Sequence, residues 1–258
     1  MLVVMLTNQT EIESDQQRQL VAEVPIIIMV NEIHHAIMLA SPFDLEDFVI
    51  GNLLSEGIIT EHIQVHDLTV SSDKHSITIN VQLSNRQMAQ FKQQYRALKG
   101  TSGCGLCGKT AMALAFPSLP TLTTKLSLSR ENINNIKPEL RAWQTLSESS
   151  GAMHAAFWLD AEANINACRE DIGRHNAVDK IIGHAARNRL KKENASILVT
   201  SRCSIEIVQK VILAEISTLV CLASPTQLAL DTAIQHNLNL IHIPRQDEPV
   251  LLTPGSFL

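Results

Sequence analysis

The sequence predicts an α/β protein in which helices cover a β-sheet, and three observations support this fold class. Beyond about residue 151, short apolar runs alternate with segments of helical periodicity. Hydrophobic residues make up 45 % of the 258 residues, which is enough for a large core. Aromatic residues account for 3 %, so that core must be built mainly from aliphatic side chains.

The amino-terminal part is predicted to hold a strand followed by a helix. Residues 1 to about 20 are weakly patterned, which is typical of a loose arm, and PIIIMVN (25–31) is typical of a buried strand. Ser41 is a candidate helix cap, Pro42 suits the first helical position, and Gly57 suits the end of the helix. Apolar residues recur at helical spacing between them.

The next segment carries strand and helix signals in turn. HSITINVQLS (75–84) places apolar residues at every second position, as in a half-buried strand, and SSDK (71–74) is typical of the turn from a preceding strand. We expect a helix over 86–99, connectors and short helices over 117–137, and another helix over 138–146.

The carboxyl-terminal part repeats a strand–helix pattern that indicates a sheet with helices packed on it. The predicted strands are 156–159, 165–168, 196–200, 218–224 and 238–244. The predicted helices are 175–190, 205–216 and 225–236.

Charge and hydropathy exclude some partners and locations. The net charge of −5 and the pI near 6.0 argue against a nucleic-acid-binding protein, which usually has a basic excess. The apolar run at the amino terminus is short for a signal peptide and lacks a basic leader. The apolar stretch 211–223 is interrupted by Glu215 and is shorter than a membrane span. We therefore expect a soluble cytoplasmic protein with no nucleic-acid or membrane partner.

Two cysteines, Cys104 and Cys107, stand three apart in the glycine-rich stretch TSGCGLCGKT (101–110). Such a pair can clamp a metal, close a small disulfide or carry a reactive sulfur atom. A zinc site needs four ligands, and the chain contains one C-x-x-C, although two copies of the motif in a dimer would supply four thiolates. No metal is predicted, but the zinc alternative stays open.

The surroundings of the pair favour sulfur carriage over redox chemistry. A thioredoxin-type motif normally opens a helix after a strand, whereas this pair lies in a loop between helical segments. Glycines on both sides give the loop conformational freedom. Lys109 stands next to the pair and favours the thiolate electrostatically.

Two polar segments follow strands within the same α/β unit and are candidate anion sites. CREDIGRHNAVDK (168–180) and VTSRCSIEIVQK (199–210) each lead from a strand into a helix, whose free N–H groups attract phosphate. Ligands of α/β sheets bind beyond the carboxyl ends of strands, so two arginine-bearing loops suggest more than one phosphate. The candidate residues are Arg174, His175, Ser201, Arg202 and Ser204.

Simpler readings of these segments stay open. The first segment can be a helix-capping loop with an internal Asp171–Arg pair, and a serine before a helix is usually just a cap. His154, in SSGAMHAAFWL (149–159), is either a buried histidine bonded to main chain or a site residue.

With these segments in hand, the sequence resembles the FdhD family, the sulfur carriers required for formate dehydrogenase activity. The resemblance spans nearly the whole chain from residue 25. Six motifs carry it: SPFDLEDFVIGNLLSEGII (41–59), SGCGLCG (102–108), SGAMHAAFW (150–158), CREDIGRHNAVDKIIG (168–183), TSRCSIEIVQK (200–210) and LASPTQLAL (222–230).

The resemblance implies a three-layer fold similar to that of cytidine deaminases, together with a homodimer. The implied organisation is a smaller α+β portion over 1–100, the C-x-x-C loop and a short helix over 101–124, and the deaminase-like domain over 125–258. Deaminase chemistry is not implied, because the H-x-E and P-C-x-x-C zinc ligands are absent from the sequence.

The resemblance also implies a sulfurtransferase activity. A cysteine desulfurase would supply sulfur to Cys104 and Cys107, with Cys104 expected to bear the persulfide. The sulfur would pass to the molybdenum cofactor, Mo-bis(molybdopterin guanine dinucleotide), before its insertion into formate dehydrogenase. Guanine nucleotides are therefore expected ligands. The implied cofactor-binding segment is His242, Ile243, Pro244, Arg245, Gln246, Asp247 and Glu248.

Three segments depart from the family pattern. Ser201 replaces a glycine, Ile243 and Pro244 stand where a phenylalanine is commoner, and Glu32 occupies a turn that usually holds glycine. Two rival functions are a cofactor-binding chaperone with a structural zinc clip, and a nucleotide-dependent redox enzyme. The second lacks a G-x-G-x-x-G fingerprint.

Overall fold

The structure of this protein is a computed structural model that describes residues 20–89, 91–92, 116–123 and 128–258. Cys104 and Cys107 lie outside the described residues, as do most of the predicted amino-terminal arm and the end of the helix predicted over 86–99. Within the described ranges, no helix is both long and apolar enough to cross a membrane.

The described elements alternate much as expected. The strands are β1 Val24–Val30, β2 Ile33–Ala40, β3 Val65–Ser72, β4 Ile77–Leu83, β5 His154–Leu159, β6 Ile165–Asp171, β7 Ser196–Arg202, β8 Thr218–Ala223, β9 Asn239–His242 and β10 Val250–Leu251. The helices are α1 Leu45–Ser55, α2 Arg130–Asn135, α3 Lys137–Trp143, α4 Thr145–Ser150, α5 Arg174–Arg187, α6 Ile205–Leu213 and α7 Gln227–Gln235. His62–Gln64 forms a 3₁₀ turn, and residues 85–89 and 91–92 are helical.

Strands β1 to β4 form a mixed sheet in the order β2-β1-β4-β3. β1 runs parallel to β4, and the outer two strands are antiparallel to their neighbours. Asn31 and Glu32 join β1 to β2 with φ of 45° and 67°, the left-handed conformation of a tight hairpin turn. Glu32 therefore holds a conformation that favours glycine.

The larger sheet has the order β10-β9-β8-β7-β5-β6. β7, β8 and β9 are parallel, whereas β5 is antiparallel to both of its neighbours. The carboxyl ends of β6, β7, β8 and β9 and the amino end of β5 therefore lie along the same side. We call this side the carboxyl edge.

Helices cover both faces of the larger sheet. Ala156 and Trp158 face a cluster shared with α1, α5, α6 and α7, whereas Phe157 and Leu159 face a second cluster shared with α2 and α3. The first cluster continues without interruption into the four-stranded sheet through residues such as Ile79. The predicted α/β class is confirmed.

Helix α1 fastens the amino-terminal part to the larger sheet through α5. A Cβ atom on Gly51 would lie 1.7 Å from the Asp179 carbonyl oxygen, and one on Gly183 would lie 1.9 Å from the Asp47 carbonyl oxygen. The two backbones therefore touch where only glycine fits. The domain boundaries predicted at residues 100 and 124 fall on residues outside the description and stay predictions.

The structure corrects one predicted cap and confirms the other. Ser41 does not cap α1, which begins at Leu45 after Asp44, because the Ser41 hydroxyl instead donates to the buried Asp171 carboxylate at 2.8 Å. Gly57 ends the helix with φ of 68°. The helix predicted over 138–146 is broken at Gln144.

Candidate functional site

The two arginine-bearing segments meet at the carboxyl edge. Arg174 and His175 open α5 directly after β6, and Arg202 ends β7 just before α6. Strand β5 lies between them, because His154 pairs with Asp171 on one side and the Ala155 N–H donates to Thr200 Oγ1 at 3.0 Å on the other. The structure thus brings the two segments and His154 together.

Two helix amino termini point toward this edge, and the second carries Glu206 in its first turn, whose carboxylate accepts from its own N–H. α5 has 14 residues and starts after Gly173, and α6 has 9 residues and starts after Ser204. Within the described residues, neither of the N-cap residues, Gly173 and Ser204, makes a side-chain hydrogen bond to the helix that it precedes. Uncapped N–H groups carry partial positive charge and bind anions. The charges of Arg174 and Arg202 add to that attraction.

His154 lies between the two arginines. Burial lowers its pKa, and the charges of Arg174 and Arg202 lower it further, while Asp171 opposes them. Burial, Arg174 and Lys210 likewise lower the pKa of His175, although Glu206 opposes this from 3.9 Å. Both imidazoles are therefore neutral at neutral pH, and the positive charge of this edge comes from arginine.

The guanidinium of Arg174 has spare hydrogen-bonding capacity. Its Nε atom is buried and has no hydrogen-bond partner among the residues that the structure describes. Arg202 is exposed, and Ser201 is buried with its hydroxyl donating to the Arg202 carbonyl at 3.2 Å. A ligand at this edge would therefore meet two arginines, while Ser201 stabilises the loop.

The third predicted segment follows β9, two strands from β7 and so about 10 Å away. Ile243 is 1 % exposed and packs in the second core cluster, so its side chain serves the fold. The Pro244 carbonyl accepts from Lys137 Nζ at 2.5 Å. The exposed side chains of this segment are Arg245, Gln246, Asp247 and Glu248, of which Glu248 pairs with Arg130 at 3.2 Å. His242 is half-buried at the strand end.

The described residues on either side of the cysteine pair are well anchored. Phe91 is buried against His35, with ring centroids 5.7 Å apart, and the Leu122 N–H donates to the His236 carbonyl at 2.9 Å. His236 follows α7, on the side of the sheet opposite the carboxyl edge. Cys104 is 12 residues beyond the described Lys92, which permits a reach of at most about 40 Å.

The cysteines within the described ranges are poor nucleophiles. Burial raises the pKa of Cys168 to about 12. A hydrogen bond with Cys203, together with burial, raises the pKa of Cys221 far above its ordinary value. Thiols in this state are inert near neutral pH. Within the described residues, no group of three or more His, Cys, Asp or Glu side chains is arranged to hold a metal ion.

Sequence reasoning misses the partner of Asp171. The sequence suggests an internal pair with a nearby arginine, but Asp171 Oδ2 pairs instead with Lys180 Nζ at 2.6 Å, and both side chains are fully buried. Lys180 lies nearly two turns into α5, on the face that packs toward β6. The burial of that face follows from tertiary packing, so no local signal reveals the pair.

The comparisons with known proteins bear on the whole chain. The model of the FdhD/NarQ family matches residues 21–256. The chain belongs to the FdhD/NarQ family. The family resemblance that the six motifs predict is therefore confirmed.

Relatives and a solved structure agree with this assignment. The sulfur carrier protein FdhD of Variovorax paradoxus is 36 % identical over 93 % of this chain and 86 % of that protein. The protein of the same name from Bordetella petrii is 35 % identical over 92 % of this chain and 85 % of that protein. A crystal structure assigned as a formate dehydrogenase accessory protein from Desulfotalea psychrophila has a TM-score of 0.69 at 20 % identity, covering 93 % of this chain and 90 % of that one. The two proteins therefore share a fold.

Proposed function

We propose that this protein is a sulfurtransferase that carries sulfur for the maturation of formate dehydrogenase. The observation that carries the proposal is the basic carboxyl edge, where Arg174, Arg202 and two uncapped helix termini converge in a chain whose relatives are named sulfur carrier proteins. In this account the edge holds the phosphates of a nucleotide-bearing cofactor, and Cys104 and Cys107 handle the sulfur.

The sulfur step needs a reactive thiolate and a donor persulfide. The Cys104 thiolate attacks the outer sulfur of a persulfide on a cysteine desulfurase. A new S–S bond forms on Cys104 as the donor S–S bond breaks, and the donor cysteine leaves as a thiolate. A persulfide is more acidic than a thiol, so it stays anionic and can approach molybdenum. Delivery of the sulfur as sulfide needs two electrons, which the Cys107 thiolate supplies: it attacks Cys104 Sγ, a Cys104–Cys107 disulfide forms as the persulfide S–S bond breaks, and the outer sulfur leaves as sulfide. Cys107 can accept, resolve or protect that sulfur.

The ligand in this account is Mo-bis(molybdopterin guanine dinucleotide), bound as substrate. Each guanine dinucleotide end carries a pyrophosphate, which suits Arg174, Arg202 and the helix termini. Four strand spacings separate β6 from β9, or about 19 Å, so the loop after β9 can contact a distant part of the same extended ligand. Arg245, which is exposed in that loop, is the cation expected to do so.

Three further features belong to the same proposal. We infer a cytidine deaminase-like arrangement for residues 125–258, supported by helices on both faces of the sheet. We infer a homodimer, supported by the edge strand β2, where Ile37 is 60 % and Leu39 is 56 % exposed. We infer a cytoplasmic location, because a carrier thiol needs a reducing compartment.

The test is complementation in a strain that lacks the wild-type gene. Cys104→Ala is expected to fold normally and to abolish formate dehydrogenase activity. Cys168→Ala is the matched control, because it removes a partly buried thiol outside the pair, whose raised pKa makes it unreactive, and should leave activity intact. Full formate dehydrogenase activity with Cys104→Ala would overturn the proposal, and stoichiometric zinc that disappears with the fold in Cys107→Ser would favour the chaperone with a zinc clip.

A further inference from the structure

The carboxylate of Asp171 has a hydrogen-bond donor on every side. Oδ1 accepts from the Gly173 N–H and from the Asn176 amide, each at 2.8 Å. Oδ2 accepts from the Ser41 N–H at 3.0 Å, the Ser41 hydroxyl at 2.8 Å and Lys180 Nζ at 2.6 Å. One oxygen thus holds the turn that leads into α5, and the other is held by Lys180 and the chain after β2.

Lys180 completes this cluster from inside the protein. Its side chain is fully buried, and its ammonium also donates to the Ser41 hydroxyl at 2.7 Å and to the Glu170 carbonyl at 3.3 Å. A lysine in this position cannot touch a ligand. A buried ion pair is weak evidence for stability, because removing both charges from water offsets their attraction. The Lys180–Asp171 pair is therefore more informative for how it fixes the local geometry than for how much stability it adds.

The turn from Gly173 to Asn176 is tightly packed around this carboxylate. A Cβ atom on Gly173 would lie 2.7 Å from the Asn176 amide nitrogen. That amide bridges two parts of the chain, because it also donates to the Leu39 carbonyl at 2.8 Å. The turn is thus fixed both to Asp171 and to the end of β2 in the other sheet. Arg174 and His175 are the residues that this turn presents at the carboxyl edge.

We propose that Ser41, Asp171 and Lys180 are positioning residues that set Arg174 at the carboxyl edge for binding the diphosphate of a guanine nucleotide. The identity of the ligand rests on the proposed function, whereas the fixing of the turn does not. The four-stranded sheet is then part of the binding site, because Leu39 lies near the end of β2 and Ser41 follows that strand directly.

The test is a double-mutant cycle on GDP binding, measured by calorimetry on the full-length protein. Lys180→Met is expected to weaken GDP binding about tenfold, and Arg174→Ala about tenfold to a hundredfold, as for a lost hydrogen bond to a charged group. The variant with both changes should bind within about twofold of Arg174→Ala, because Lys180 acts through Arg174. A purely structural role predicts that the two losses multiply.

A destabilised control separates positioning from general loss of stability. Ile216→Ala leaves a cavity in the first core cluster just before β8, at the edge of the larger sheet opposite the carboxyl edge, and should lower stability without changing GDP affinity by more than about twofold. If Lys180→Met fails to fold, Ser41→Ala replaces it, with an expected loss of about threefold that is again absent in the Arg174→Ala background. Wild-type GDP affinity in a folded Lys180→Met or Ser41→Ala protein would overturn the proposal.

Hydrogen exchange gives a second test that needs no ligand. The Gly173 amide, protected by Asp171 in the wild type, should exchange at least about tenfold faster in Ser41→Ala, while the Ala229 amide, bonded to Thr226 Oγ1, keeps its rate. If the wild-type protein does not bind GDP, the proposed function fails, and the exchange result alone decides whether these residues position the turn. An unchanged Gly173 rate would contradict the positioning role.

Discussion

Two aspartates that pair with cations of α5 are neutralised in opposite ways. Asp171, at the carboxyl edge, is fully buried and has Lys180 as its close cation at 2.6 Å. Asp47, near the other end of α5, is 4 % exposed and contacts Arg169 at 2.8 Å, Arg187 at 2.5 Å and His184 at 3.3 Å. These three partners remain partly exposed. The first arrangement fixes one geometry, and the second tolerates the loss of a partner.

The difference follows from solvent and from redundancy. When Arg169 or Arg187 is removed, the other arginine remains beside Asp47, so the loss of either pair costs little. At Asp171, removal of Lys180 leaves a carboxylate without a counter-ion in the core, which is strongly unfavourable. The edge proposed to bind ligand is therefore the end of α5 where position is most tightly specified.

The largest effect is expected from forcing α1 and α5 apart, since Asp47 on α1 contacts His184 and Arg187 on α5 across this contact. Gly51→Ala places a Cβ atom against the Asp179 carbonyl and should lower the free energy of unfolding by at least about 3 kcal/mol. Urea denaturation measures this loss. Gly151→Ala is the control: it has φ of 69° and open surroundings, and should cost about 1 kcal/mol. Equal losses in the two variants would show that α1 and α5 do not touch as described.

An effect of similar size sharpens the comparison between the two aspartates. Lys180→Met should lower the free energy of unfolding by about 3–5 kcal/mol, because it leaves Asp171 buried and unpaired. Arg187→Met should cost about 1 kcal/mol or less, because Arg187 is partly exposed and Asp47 keeps Arg169. Chemical denaturation of both variants measures the difference. The contrast would be refuted by a greater loss in Arg187→Met.

The smallest effects concern pH. Burial lowers the pKa of His154, His175 and His184 below 6.5 in the folded protein. The unfolded chain then binds more protons, so the stability from these neutral histidines is present above pH 6.5 and is lost as pH falls through their folded pKa values. The midpoint of thermal unfolding should therefore fall between pH 7 and pH 5.

Ligand binding should change the histidine pKa values at one end of α5 and leave the pKa at the other end unchanged. A bound diphosphate places negative charge near His154 and His175 and should raise their pKa values, whereas His184 beside Asp47 keeps its own. NMR titration of the imidazoles with and without GDP measures this. An equal shift at His184 would mean that GDP acts on the whole protein and that its site is not the carboxyl edge.

Local patterns account for most of the elements. The alternation that predicts β4 and the apolar runs that predict β7, β8 and β9 are local signals, and the structure confirms them. β2 escapes prediction because His34 and His35 interrupt its pattern and because it lies at a sheet edge, where one side faces solvent. The prediction that Ser41 caps α1 is wrong because its hydroxyl donates a hydrogen bond to Asp171, a carboxylate distant in sequence.

The candidate site also has parts that local sequence predicts and parts that depend on contacts between distant residues. Local sequence predicts that Arg174 and Arg202 each lie between a strand and the helix that follows it, and topology then brings them to one edge. The role of Lys180 depends on a contact 139 positions away in sequence, with Ser41, and no short motif encodes it. The roles of Cys104 and Cys107 stay predictions from the motif and the family resemblance.

The most direct test of the central claim is intact-protein mass spectrometry after incubation with a cysteine desulfurase and cysteine, followed by alkylation mapping. The account predicts a gain of one sulfur atom that maps to Cys104, is removed by a reducing thiol and is absent from Cys104→Ala. A protein that gains no sulfur while Cys104 and Cys107 are free and reactive would contradict it.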